Sequence, residues 1–147
     1  MDIDKPPPDV LAMLVCEQII TDRMTGKQSL IGLFSRVHAV GFPATHPQLC
    51  VFAALTDGRG PTELTIRIVD ANELRPPVVE GKSKINFRDP RAIANLFLQF
   101  HGLTFPAKGE YRVQIFADGR LLREARLELV QLVPRSAPPT AEGEPTA

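Results

Sequence analysis

The sequence predicts an all-β protein, an antiparallel sandwich of about seven or eight strands. Three observations carry this expectation. Short apolar runs recur between turn residues roughly every 8 to 12 residues, a sandwich or barrel spacing. Leu64, Ile66 and Ile68 alternate with Glu63, Thr65 and Arg67, and Tyr111, Val113 and Ile115 alternate with Glu110, Arg112 and Gln114, the period of a strand with one dry face. Ala117-Asp-Gly-Arg120 supplies the Asp-Gly pair that a two-residue hairpin turn prefers, because both central residues need positive φ.

Residues 1–9, with Pro6, Pro7 and Pro8, are expected to be a flexible N-terminus, and the sandwich domain spans 10–133. Leu11 to Ile20 is apolar on both faces at its start, which suits a covered strand. Asp22 to Lys27 turns the chain. Ser29 to Phe34, continuing through Val37 to Val40, returns as the second arm of a hairpin, with Gly32 marking a bulge or a close approach. Gly41 to Pro47 reads as a loop, and Leu49 to Leu55, apolar on both faces, as a central strand. After the turn Asp57 to Pro61 comes the alternating strand through Leu64 and Ile68, then a turn over 71–77. Val78 to Phe87 carries Lys82 and Lys84, charges that blunt a sheet edge.

Asp89 to Gly102 supports two readings. Asp89 could cap a helix with Pro90 at its first position and Gly102 at its end, placing Ile93, Leu96, Phe97 and Phe100 on one face. Leu96, Leu98 and Phe100 equally alternate as in a strand. A lone helix among so many strands has the weaker context, so the expectation is a turn at 88–92 and a strand at 94–101. The chain's last strand, 121–130, turns Ala125, Leu127 and Leu129 inward and Glu124, Arg126 and Glu128 to solvent. From 134 to 147 the chain is rich in Pro, Ala, Glu and Thr without apolar periodicity, which predicts a disordered tail.

Among 147 residues, 17 Lys+Arg balance 17 Asp+Glu, so the electrostatic footprint of a nucleic-acid binder or a polybasic membrane-surface protein is missing. Neither nucleic acid nor membrane is an expected partner. Val10 to Cys16 is too short to span a bilayer, which takes roughly 20 apolar residues. Cys16 and Cys50 form no CxxC and are too few for a disulfide framework. With an acidic, proline-rich start where a signal peptide needs a basic one, the expected home is the cytoplasm.

Catalytic and ligand motifs fare poorly. Gly26-Lys27-Gln-Ser29 lacks the first glycine of a phosphate-binding loop, interposes Gln28 and leads into a strand rather than a helix. His46 and Cys50, with His38 and Cys16, are too few and too scattered for a zinc site. Both cysteines sit in apolar runs, where a thiol is inert core rather than nucleophile. The carboxylates fall on turns and outward positions, where they are solvated. No catalytic residue, cofactor or metal is therefore expected, and the chain does not read as an enzyme.

One surface stands out. Phe97 and Phe116 fall on outward positions, and with Val69 and Leu122 they would form an apolar patch for a protein partner or a second copy of the chain. The leading expectation is a non-catalytic protein acting through protein contacts. A rival is a small-molecule or carbohydrate site on the loops 41–47, 71–77 and 103–108, weakened by one tyrosine and no tryptophan. A further rival is an enzyme built on His38, His46 and His101.

Gly109-Glu-Tyr-Arg-Val113 after a proline-containing corner resembles the Gly-x-Tyr-x-Val segment of immunoglobulin-like sandwiches. The resemblance implies that Tyr111, beside Gly109, ties its loop to the sheet through its hydroxyl, with Asp118 and Gly119 as the final hairpin turn. Cys16, Gly26-Lys27-x-Ser-Leu-Ile-Gly-Leu-Phe34, Phe42-Pro43 and Leu103-Thr-Phe-Pro-x-x-Gly-x-Tyr111 are together similar, over residues 14–130, to an uncharacterised family of small bacterial β-sandwich proteins. That family implies the fold and a bacterial cytosolic origin, and supplies no activity to transfer.

Overall fold

A computed structural model of the chain describes residues 5–133; the tail expected from 134 onward lies outside the described residues. Nine strands make up the described chain: β1 (Asp9–Thr21), β2 (Gln28–Leu33), β3 (Arg36–Ala39), β4 (Ala44–Thr56), β5 (Gly60–Asp70), β6 (Val79–Phe87), β7 (Ala94–Phe105), β8 (Gly109–Ala117) and β9 (Arg120–Gln131). They form a four-stranded sheet, β2-β1-β4-β7, and a five-stranded sheet, β3-β9-β8-β5-β6. Strands β1, β4 and β7 take the A, B and E places of an immunoglobulin-like sandwich, and β5, β6, β8 and β9 the C, C′, F and G places.

The inner faces interdigitate as the alternation requires. Leu49, Val51, Ala53 and Leu55 of β4 meet Leu64, Ile66 and Ile68 of β5, Val113 and Ile115 of β8, and Leu127 and Leu129 of β9 in one buried cluster. The hairpin turn places Asp118 at φ 47 and Gly119 at φ 82, both in the left-handed region that Asp and Gly tolerate. Strand β6, with its lysines, lies at a sheet edge, and β4 is interior.

Three details differ from the sequence expectation. The stretch Ser29 to Val40 is two strands rather than one, which brings the total to nine. Strand β2 pairs with β1 in the first sheet, the chain crosses at Phe34 and Ser35, and β3 then pairs with β9 in the second, as the one parallel pairing. Gly32, at φ 74, makes the close approach: a Cβ there would sit 3.1 Å from Glu17 Cγ. Strand β4 begins at Ala44, so His46 and Pro47 belong to a strand and not to a loop. Proline is tolerated there because β1 stops pairing with β4 at Cys16 opposite Cys50, and Pro47 falls at a gap in the β7 ladder beside Gly102. Strand β7 runs on to Phe105, which shortens the loop expected at 103–108.

The ambiguous segment is a turn and a strand. Asp89 Oδ1 accepts the Arg91 N–H at 3.0 Å and the Ala92 N–H reaches the Asp89 carbonyl at 3.0 Å, a single turn. The Pro90 carbonyl is held by the Asp57 N–H at 2.7 Å, so this acceptor is spent on a neighbouring turn and no helix propagates.

Candidate functional site: an uncharged sheet face

The two outer faces of the sandwich differ in chemistry. On the five-stranded sheet, the register sets Glu80 opposite Arg67, Arg67 opposite Gln114 and Gln114 opposite Glu124. Arg67 Nε donates to Gln114 Oε1 at 3.3 Å, and Gln114 Nε2 donates to Glu124 Oε1 at 3.3 Å. Arg112 bridges Glu110 at 2.6 Å and Glu124 at 3.2 Å, and Arg36 pairs with Glu128 at 3.2 Å. That face is a solvated mesh of paired charges.

The outer face of the four-stranded sheet holds none. Alternation and register place Ser29, Ile31 and Leu33 of β2 on it, Ala12, Leu14, Cys16, Gln18 and Ile20 of β1, Gln48, Cys50, Phe52 and Ala54 of β4, and Asn95, Phe97, Gln99 and His101 of β7. Between Ala12 and Ile20 no Asp, Glu, Lys or Arg projects from this side. Leu14, Phe52 and Phe97 make one apolar rung across three strands, and Leu14, Ile31, Leu33 and Phe97 are exposed at 40, 43, 59 and 43%. From Ala12 to Cys16 the strands β1, β4 and β7 lie side by side, and from Cys16 to Ile20 β1 lies beside β2; contiguous exposed apolar side chains on such a face mark an interaction site.

Cys16 and Cys50 are cross-strand partners on this face and are both buried as free thiols. Burial pushes both thiols up from the ordinary value, which disfavours the reactive thiolate. Cys50 Sγ and Gln48 Nε2 both donate to the Glu17 carbonyl, at 3.6 and 3.0 Å, filling the place where β1 parts from β4.

The residues singled out from the sequence do not meet. Phe97 lies on the uncharged face, whereas Phe116 lies on the charged face of the other sheet with the Arg67 guanidinium 4.9 Å from its ring. Val69 is buried opposite Arg112, and Leu122 packs against the core. Bulges explain part of this: the β8–β9 register shifts beside Phe116 and turns Leu122 inward. The histidines are spread over three strands, with the His46 ring tilted at 49° against Phe34, centroids 5.3 Å apart. Among the described residues no group of three His, Cys, Asp or Glu could hold a metal ion.

Tyr111 is 2% exposed, and its hydroxyl donates to the Ala107 carbonyl at 2.6 Å while accepting the Ala107 N–H at 3.2 Å. Its ring meets Phe105 edge to face at 5.2 Å. Asp118 Oδ1 accepts the Glu63 N–H at 3.0 Å and its Oδ2 pairs with Lys5 at 3.3 Å. These bonds, the backbone one first, hold its carboxyl below the ordinary range.

A second feature was not legible in the sequence. Lys5 to Pro8 lie against the 59–63 and 117–120 segments and wall a cleft of about 1240 Å³. Lys5, Arg59, Lys84 and Arg120 line it with Glu63 and Asp118. The cleft lies at the opposite end of the sandwich from the loops at 71–77 and 106–108.

Two solved structures are similar to this chain at low identity. Over 80% of this chain and 30% of the other, it is similar to an alkylpurine DNA glycosylase of Pseudomonas fluorescens bound to DNA with an abasic-site analogue, at 10% identity and a TM-score of 0.45. This chain therefore spans less than a third of that protein. Over 85% of this chain and 98% of the other, it is similar to an immunoglobulin-like protein of Pseudomonas aeruginosa, at 16% identity and a TM-score of 0.39. No curated protein matches the sequence. Residues 11–130 match the profile of a family described as a family of unknown function, DUF6941.

Proposed function

The chain belongs to this family of unknown function, and from that premise we propose that it is a non-catalytic protein that works through protein contacts, made on the uncharged face of the four-stranded sheet. One observation carries the reading: the sheet face built on Leu14, Phe52 and Phe97 presents an exposed apolar rung and no Asp, Glu, Lys or Arg, while the other face is laced with ion pairs. A contact surface depleted of charge and centred on aromatic and aliphatic side chains is what partner binding selects. Free thiols side by side at Cys16 and Cys50 support a reducing, cytoplasmic setting. Among the described residues no helix is long and apolar enough to cross a membrane.

The test is affinity capture on the protein immobilised through its charged face, comparing the wild type with Leu14→Glu/Phe97→Glu. Both residues are surface-exposed, so the variant keeps its core. Proteins, or further copies of the chain, held by the wild type and released by the variant support the reading; equal retention contradicts it.

The cleft favours a second reading, a small anionic ligand held by Arg59, Lys84 and Arg120, none of which has an ion-pair partner among the described residues. A change in Lys84 or Arg120 resonances on titration with inorganic phosphate or a dicarboxylate would support it, and unchanged resonances would count against it.

A further inference from the structure

Strand β7 ends the four-stranded sheet, pairing with β4 on one side and, among the described residues, with no strand on the other. It is 12 residues long, Ala-Asn-Leu-Phe-Leu-Gln-Phe-His-Gly-Leu-Thr-Phe, and carries no Asp, Glu, Lys, Arg or Pro. No further backbone hydrogen bond joins it to the described residues. The other three edges are protected by the usual devices. Strand β2 has 6 residues, β3 has 4 residues, and β6 carries Glu80, Lys82 and Lys84, whereas β7 offers the uninterrupted run Ala94 to His101 ahead of its left-handed Gly102. A long, uncharged, unprotected edge is a template for strand pairing.

We propose that β7 pairs antiparallel with β7 of a second copy, joining two four-stranded sheets into one of eight strands. This goes beyond the reading of the uncharged face, since the contact runs along the edge strand that borders it. The argument for a second copy is electrostatic and geometric. A two-fold axis normal to the sheet, passing through β7 near Phe97 to Gln99, sets the residues beside it against themselves or one another, so a charge placed there would face its like. Strand β6 would bring Lys82 and Lys84 together with their copies, whereas β7 has no Asp, Glu, Lys or Arg to bring. The same axis keeps inner residues with inner ones, so Leu96, Leu98 and Phe100 of the two copies extend one dry layer. The outward rung of Leu14, Phe52 and Phe97 doubles in length.

The experiment is sedimentation equilibrium of the full chain with amide hydrogen exchange, on the wild type and on Phe97→Lys/Gln99→Lys. Both side chains project outward and are exposed, so the variant tests the edge and not the core. The wild type should approach twice the 16.2 kDa of one chain as concentration rises, and the variant should dimerise at least about tenfold more weakly, a Lys-on-Lys penalty. Every second β7 amide, those turned away from β4, should become protected in the wild-type dimer alone. A monomer at all concentrations overturns the proposal, and so does a dimer whose outward β7 amides exchange freely, since that dimer would stack by its faces. A monomeric wild type that still captures other proteins through Leu14 and Phe97 would leave the contact-surface reading standing and remove only the self-pairing.

Discussion

Phe97 stands directly opposite Phe52 in the β4–β7 ladder, on the outer face of the four-stranded sheet. Phe116, the residue the sequence groups with it, lies beneath Arg67 on the other sheet. The two phenylalanines should therefore respond differently to truncation. Phe116→Ala loses a ring covered by a guanidinium and should cost about 1 kcal/mol. Phe97→Ser, measured at low protein concentration so that association does not contribute, should stay within about 0.5 kcal/mol. Urea midpoints at an unchanged slope decide it; equal losses would mean that Phe97 is packed rather than presented.

Tyr111→Phe should destabilise by about 1 kcal/mol or somewhat more. The change leaves the Ala107 carbonyl and N–H without the hydroxyl that bonds both, while ring packing on Phe105 persists. An unfolding midpoint equal to wild type would argue against the corner as a structural tie.

Asp118 and Asp57 should act oppositely in acid. The Asp118 carboxyl is held low by the Glu63 N–H and then by Lys5. Its stabilisation is thus fully present above the ordinary carboxylate value and lost as pH falls through the lower native one. Asp118→Ala should weaken the protein most near neutral pH and least in strong acid. Asp57 is raised, chiefly by its hydrogen bond with Asp9, so native protonation is favoured. Asp57→Asn should help slightly at neutral pH, with the difference vanishing as acid protonates the wild-type pair. Paired denaturation curves from pH 7 down to about pH 2, below the ordinary carboxylate range, check both signs.

Cys16 and Cys50 should resist alkylation in the folded state. Both are buried with thiols raised by desolvation, so iodoacetamide should label them at least about tenfold faster under denaturing conditions. Rapid native labelling would show that β1 and β4 part readily at that rung.

Much of the fold was legible because alternation and turn chemistry are local. The β8–β9 hairpin followed from Asp118-Gly119 and the flanking period of two, and the edge position of β6 from its lysines. The break between β2 and β3 was hidden, because Phe34 and Ser35 carry no turn signature and the crossing is decided by which sheet has an open edge. Pro47 inside β4 was hidden for the same reason, since only the departure of β1 makes room for it. Site reading failed where pairing is non-local. Alternation correctly turned Phe97 and Phe116 outward, but which sheet each belongs to depends on strand order. Phe52 was invisible as a surface residue because Leu49 to Leu55 is apolar on both faces. The uncharged face emerges only when β1, β2, β4 and β7, drawn from across the chain, are laid side by side.

The measurement that bears most directly on the contact surface is photo-crosslinking in living cells, with a photoreactive residue placed in turn at positions 14, 31 and 97 of the uncharged face and at positions 82 and 126 of the charged one. Adducts from the first three positions and little from the last two, whether the adduct is a second copy or another protein, are the predicted result. Adducts concentrated at 82 and 126, or none above background at 14, 31 and 97, would contradict it.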